Sequence, residues 1–213
     1  MNRIENIPPM EIEHRSFEII EEELTVPLPP KYAPIIKRVI HTTADFSYAD
    51  NLCFSEQALE DALRALKNGA HIVTDTTMAM AGINKRSLSN LGGEVHCFIR
   101  DEDVAREAKE LNCTRSAVCM KKAAVLAKEL DKPLIFAIGN APTALVQLKK
   151  MIEEGTISPA LIIGVPVGFV NVVEAKEMIM ETQVPYIVAR GRKGGSNVAA
   201  AICNALLYQV TSR

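Results

Sequence analysis

No apolar run in the 213 residues approaches the roughly 20 that a helix needs to span a bilayer. The start, MNRIENIPPM, has none of the apolar core of a signal peptide. A cytoplasmic protein without a membrane part is therefore expected. Long blocks of like charge are missing, and the net charge is only −2. A general nucleic-acid binder needs a basic surface, so that class is disfavoured. A local basic pocket around an anionic small molecule stays open. The five cysteines (Cys53, Cys97, Cys113, Cys119 and Cys203) contain no C-x-x-C pair and are odd in number. Neither a structural zinc site nor a disulfide scaffold is indicated, and buried free thiols are the simplest reading. Cys113 alone sits just before a predicted helix start, where a helix dipole stabilises a thiolate. The four histidines make no i, i+4 pair and no H-E-x-x-H, so no metal is expected. His71 and His96, inside strand-like runs, read as packed or hydrogen-bonded side chains.

What is present is an ordinary globular composition, 48% hydrophobic and 23% charged. It fits one domain over 1–213, with 1–30 as an N-terminal arm closed off by the stiff VPLPP at 26–30. The arm shows little pattern beyond a short helix near Phe17–Leu24, and HRSF at 14–17 reads as exposed. Beyond it, helix-like and strand-like segments alternate. A helix beginning at Ser55 carries acids in its first turn and stops at Gly69. Five runs read as strands: HIVTD (71–75), EVHCFI (94–99), LIFAIG (134–139), LIIGVP (161–166) and YIVAR (186–190). Such alternation predicts a three-layer α/β/α domain with a parallel sheet of about five strands. The near-continuous apolar character of LIFAIG and LIIGVP suits strands covered on both faces.

In sheets of this kind ligands gather beyond the carboxyl ends of the strands. The turns there supply Asp75, Thr76 and Thr77, then Asn140 and Thr143 around Pro142, then GRKGGS at 191–196. In that last loop Gly191, Gly194 and Gly195 allow close approach of backbone amides to an anion. Arg190, Arg192 and Lys193 add charge, and Ser196 is placed to cap the following helix. GRKGGS is no nucleotide fingerprint, and a plain glycine-rich turn explains it equally well. In CTRSAV, Thr114 reads as an N-cap with Arg115 and Ser116 in the first turn. A capped helix with a solvated arginine is the simpler account.

RVIHTTADF, at 38–46, is more specific. Tyr32, Ile35, Ile36, Val39, Ile40 and Phe46 form one helical face, and His41 points away from it. The imidazole faces water, a ligand or another chain. Arg38 and Asp45 share its side, Asp45 within i+4 reach, and Thr42 and Thr43 add hydroxyls. Imidazole gives and accepts a proton near neutral pH, which suits His41 to acid/base work, while a solvated surface histidine is the simpler account of the periodicity alone.

RVIHTTADF, TRSAV, AIGNAPTAL, SPALIIGVPVGFV and GRKGGS, in this order and spacing, resemble the precorrin-8X and cobalt-precorrin-8 methylmutases of cobalamin biosynthesis. The resemblance runs from about HRSF to the last helix, and VNVVEAKE at 171–178 is its least typical stretch. It implies a flavodoxin-like fold, a homodimer with sites near the subunit interface, and a corrinoid substrate. The implied reaction is intramolecular: a methyl group moves from carbon eleven to carbon twelve of the macrocycle, giving hydrogenobyrinate or cobyrinate. No cofactor is implied, because the methyl group is already on the substrate and any cobalt belongs to it. The family's essential histidine matches His41, and its substrate-contacting arginines match Arg15 and Arg38. A substrate rich in acetate and propionate arms needs distributed donors. Ser16, Thr42, Thr114, Arg115, Ser116, Asn140, Thr143, Gly194, Gly195 and Ser196 complete the expected binding set. The rival reading is a flavodoxin-like binding module for a phosphorylated ligand centred on NAPT and GRKGGS, or a corrinoid carrier.

Overall fold

The computed structural model describes residues 6–211. Residues 1–5, half of the segment read as lacking a signal core, and residues 212–213 lie outside them. The chain opens with α1 (Ile12–Glu23), α2 (Ala33–Thr43) and the one-turn α3 (Tyr48–Asn51), then β1 (Leu52–Phe54). α4 (Ala58–Lys67) leads to β2 (His71–Thr74), followed by α5 (Thr77–Gly82), α6 (Lys85–Asn90) and β3 (Val95–His96). α7 (Glu102–Glu110) and α8 (Arg115–Leu130) precede β4 (Leu134–Ile138) and α9 (Pro142–Glu153). β5 (Leu161–Gly164), α10 (Val172–Met180), β6 (Tyr186–Ala189) and α11 (Ser196–Val210) complete it. No helix among the described residues is long and apolar enough to cross a membrane.

The sheet has six strands in the order β1-β6-β5-β4-β2-β3. The five expected strands are mutually parallel, in the doubly wound order of flavodoxin-like sheets. The sixth, β1, was not expected and runs antiparallel to β6, pairing Cys53 with Val188. Three residues are too few to show an alternating pattern. Ser55, read as a helix start, instead extends this edge: its N–H donates to Tyr186 O at 3.1 Å and its Oγ accepts the Tyr186 N–H at 3.0 Å. The helix therefore begins only at Ala58.

Alternate residues of each central strand feed opposite cores. Ile135, Ala137, Ile163 and Ile187 face the layer of α2, α4 and α11. Phe136, Ile138, Ile162 and Val188 face α7 to α10. Burial on both faces is why these strands read as unbroken apolar runs. α11 is hidden on most of its circumference, and its run of alanines lets α2 and α5 approach closely. Gly82 shows how closely, since a Cβ there would lie 2.8 Å from Ala200 Cβ.

The parallel winding has one consequence for function. α5, α9, α10 and α11 each follow a strand, so their N-termini gather at the carboxyl edge of the sheet. Thr114 brings the N-terminus of α8 there too, through its contact with Thr143. Aligned peptide dipoles make that edge favourable to negative charge.

Candidate functional site

At the carboxyl edge, side chains on one helix start tie to the next. Thr76 caps α5 through the Ala79 N–H and pairs with Ser196 Oγ at 2.7 Å. Thr114 caps α8 through the Ala117 N–H and pairs with Thr143 Oγ1 at 2.7 Å. Ser196, expected as a cap, is the first helical residue, because Gly195 takes the cap position with φ +141°. Lys193 reaches across to Asp45 Oδ2 at 2.6 Å and Ser47 Oγ at 2.9 Å. This joins the 191–196 loop to the segment just after α2, whose last turn carries His41. Exposed Asn140 and Arg115 stand on the same rim, whereas Ser116 is buried behind it.

His41 lies in the last turn of α2 and is exposed, as its periodicity predicts. Asp45 does not orient it. α2 ends at Thr43 because Ala44 adopts a left-handed cap (φ 52°), so Asp45 no longer lies one helical turn above the imidazole. Ser16 on α1 orients it instead, with its Oγ 2.9 Å from His41 Nδ1. Phe17 packs against the ring, centroids 5.4 Å apart. With Nδ1 engaged, Nε2 is the ring nitrogen without a partner among the described residues. Thr42, beside it, is exposed.

The short helix read near Phe17–Leu24 is in fact the longer α1, Ile12–Glu23, and it supports the candidate acid/base. Arg38 pairs with Glu13 and lies between the rings of Phe17 and Tyr208, 5.3 and 5.0 Å from their centroids. Lys37 pairs with Glu21, and Arg15 reaches Glu18 and Glu22 at 3.2 and 3.5 Å. Arg15 and Arg38, the expected substrate arginines, thus both meet carboxylates of α1. A cavity of about 480 Å³ between α1, α2 and α11 is lined by His14, Phe17, Arg38 and Tyr208, but not by His41.

Asp75 has a larger part than its position in a turn suggested. Fully buried, its carboxylate accepts the N–H groups of Gly139, Asn140 and Ala141 at 2.9, 2.9 and 2.7 Å. Burial pushes its pKa up, and the three donors pull the other way. These are the amides of the β2/β4 switch point, where flavodoxin-like sheets hold a phosphorylated cofactor. Asp75 already consumes them, which counts against a phosphate site centred on NAPT.

Lys176 was missed by sequence reasoning. It is wholly buried on α10 and donates to the carbonyls of Gly191 and Lys193, both at 2.8 Å. Burial draws its pKa down to about 8. The signal lay in the helical stripe Val172, Ala175, Lys176, Ile179, which puts a lysine among core positions.

His71, Glu94 and His96 bring three ligand-type atoms within 4.8 Å of one another, at the opposite end of β2 from the rim. His71 Nδ1 and His96 Nε2 already share a hydrogen bond of 2.8 Å, and the positive charge of Lys132 acts on His71. Packed, hydrogen-bonded histidines are what the strand pattern predicted. Of the cysteines, Cys119 and Cys203 are buried, Cys53 and Cys97 half-buried, and Cys113, against the general expectation, exposed.

A doubly wound α/β sheet with helix N-termini, paired hydroxyls and a basic loop at its carboxyl edge places the chain among α/β proteins whose sheet edge suits an anionic small molecule. Comparison narrows that class. The model of the family described as precorrin-8X methylmutase matches residues 11–209. The cobalt-precorrin-8 methylmutase of Salmonella typhimurium is 47% identical, with 95% of this chain and 96% of that protein covered. The one from Priestia megaterium is 45% identical over 94% and 88% of the two chains. The precorrin-8X methylmutase of Pseudomonas aeruginosa is 39% identical, over 92% and 93%. The crystal structure of the Thermus thermophilus precorrin-8X methylmutase superposes with a TM-score of 0.84 at 39% identity, covering 94% and 96%. The chain belongs to the precorrin-8X methylmutase family, and it is an isomerase of cobalamin biosynthesis.

Proposed function

We propose that this isomerase moves a methyl group from carbon eleven to carbon twelve of precorrin-8X or its cobalt form, with His41 as general acid/base. The observation that carries the reading is the imidazole itself. Its Nδ1 is held by Ser16, and the exposed residue stands on the face of α2 opposite the buried stripe. An Nε2 proton delivered to the conjugated ring weakens the bond of the migrating methyl group. The methyl group then moves with its bonding pair to the neighbouring carbon, and the ring returns the proton to Nε2. Proton and methyl group both balance within one substrate, so no donor or cofactor enters, and any cobalt is the substrate's own. The carboxylate arms fall to Arg15, Arg38, Arg115 and the helix starts at Thr114, Thr143 and Ser196, with Asn140 and the Gly194–Gly195 amides beside them.

His41 stands on an open face and not within the neighbouring cavity, so a large flat macrocycle needs a second wall. A second copy of the chain supplies it in this reading, giving a homodimer with its sites at the interface. The test is conversion of both precorrin-8X and cobalt-precorrin-8, followed by visible absorbance. His41→Ala should lose conversion while still shifting the spectrum of bound corrinoid. Turnover by that variant within tenfold of wild type removes His41 from the chemistry, and a monomer that turns over at full rate removes the second wall.

A further inference from the structure

Lys176 is a fully buried cation that the proton-transfer reading does not use. Its ammonium donates to two carbonyls, Gly191 O and Lys193 O, both at 2.8 Å. All peptide bonds among the described residues are trans, and in a trans peptide the carbonyl and the N–H point in opposite directions. Drawing the 191 and 193 oxygens towards Lys176 therefore turns the N–H groups of Arg192 and Gly194 to the other side of the loop. Among the described residues neither N–H has a backbone acceptor. The loop is also pinned on its inner side. Gly195 N–H donates to Val165 O at 2.9 Å, and Gly168 N–H to Arg192 O at 3.1 Å. A Cβ on Gly194 would lie 2.1 Å from Val165 O, so the segment just after β5 and the loop are in contact there. Phe169, 81% exposed, lies under the Arg192 guanidinium, which is 5.4 Å from its ring centroid.

We infer that Lys176 is a positioning residue: by holding the carbonyls of Gly191 and Lys193 it presents the amides of Arg192 and Gly194 to a carboxylate arm of the substrate. The inference rests on the corrinoid reading above and names the device that makes a glycine-rich turn an anion cradle. A buried ammonium is costly unless its hydrogens are satisfied. Here two of the three are spent on fixing peptide planes that make no other use of their outward N–H groups.

The test is Lys176→Met, which keeps an unbranched apolar side chain one atom shorter and removes the donors. KM and the dissociation constant for the corrinoid should both rise about tenfold or more, since 1.4 kcal/mol, about one charged hydrogen bond, is a factor of ten. kcat should stay within twofold, because His41 is untouched. A merely structural lysine would lower the melting temperature and leave KM where it was. KM within twofold of wild type in a natively folded variant overturns the inference. Should Lys176→Met not fold, wild-type protein labelled with nitrogen-15 decides. The amide proton signals of Arg192 and Gly194 must move downfield on saturation with corrinoid, and signals that stay put overturn the inference. Wild-type protein that neither binds nor converts the corrinoid sinks the functional reading itself. Conversion with an unchanged Lys176→Met KM sinks only the role of this lysine.

Discussion

Replacing Asp75 with asparagine tests how the carboxyl edge of the sheet is held. One carboxylate oxygen takes the Gly139 N–H, and the other takes those of Asn140 and Ala141. Asparagine keeps a single oxygen. Its best placement serves the pair at 140 and 141 and turns its NH2 towards Gly139, leaving that buried N–H facing another donor. An orphaned donor costs about 1–3 kcal/mol, and the two remaining bonds each weaken by about 1 kcal/mol when the acceptor loses its charge. The neutral amide returns part of this, because the burial that pushes the Asp75 carboxyl above its ordinary pKa no longer acts on a charge. The net loss should be about 2 kcal/mol, or a fall in melting temperature of roughly 4–8 °C for a chain of this size. Calorimetry of both proteins at pH 7 measures it. The pH dependence gives a second reading. A carboxyl whose folded pKa is raised contributes stability that is fully present below its unfolded value and lost as pH rises through its folded one. That slope should vanish in Asp75→Asn. A variant as stable as wild type at pH 7 would mean that the Gly139 N–H left facing a donor costs nothing, and the reasoning would fail.

Ser16→Ala should leave His41 exposed but unoriented, lowering kcat by about tenfold, the weight of one neutral hydrogen bond, with little change in stability. Steady-state kinetics at saturating corrinoid checks it. Arg38→Ala removes the Glu13 ion pair and the contacts with Phe17 and Tyr208. About 1–2 kcal/mol of stability should go, and hydrogen exchange over residues 12–23 should quicken as α1 loosens. Gly194→Ala forces a methyl group against Val165 O and should weaken corrinoid binding at least tenfold, read by titration of the visible spectrum. Burial holds the pKa values of His71 and His96 below the ordinary 6.5. Their contribution is present above that value and lost as pH falls through the folded ones. The urea midpoint should therefore drop between pH 7.5 and 5.5, and His96→Gln should flatten the drop.

Periodicity was enough to place the five parallel strands and most of the helices, because each long element meets one local environment along its length. The stripe through Ile35, Ile36, Val39 and Ile40 is buried, and His41 does face outward from it. The motifs at Thr114, Pro142 and the 191–196 loop pointed to helix starts that do lie on one edge. Short elements carried no such signal: β1 has three residues, and the one-turn α3 has four. Only the start of α1 was missed, where Glu13 pairs with Arg38 on α2.

Local sequence by itself determined which face of α2 carries the imidazole and where most helices begin, since backbone propensity and side-chain spacing act within a few residues. Partner choice was left to tertiary structure. Asp45 and His41 share a helical face on paper, but a left-handed residue at Ala44 separates them, and Ser16, 25 residues away, takes the ring nitrogen. Asp75 meets the amides of 139–141, and Lys176 the carbonyls of 191 and 193, only because the sheet order brings distant loops to one rim. Hydrogen bonds depend on distances of a few ångströms between segments remote in the chain, and chain folding alone sets those distances.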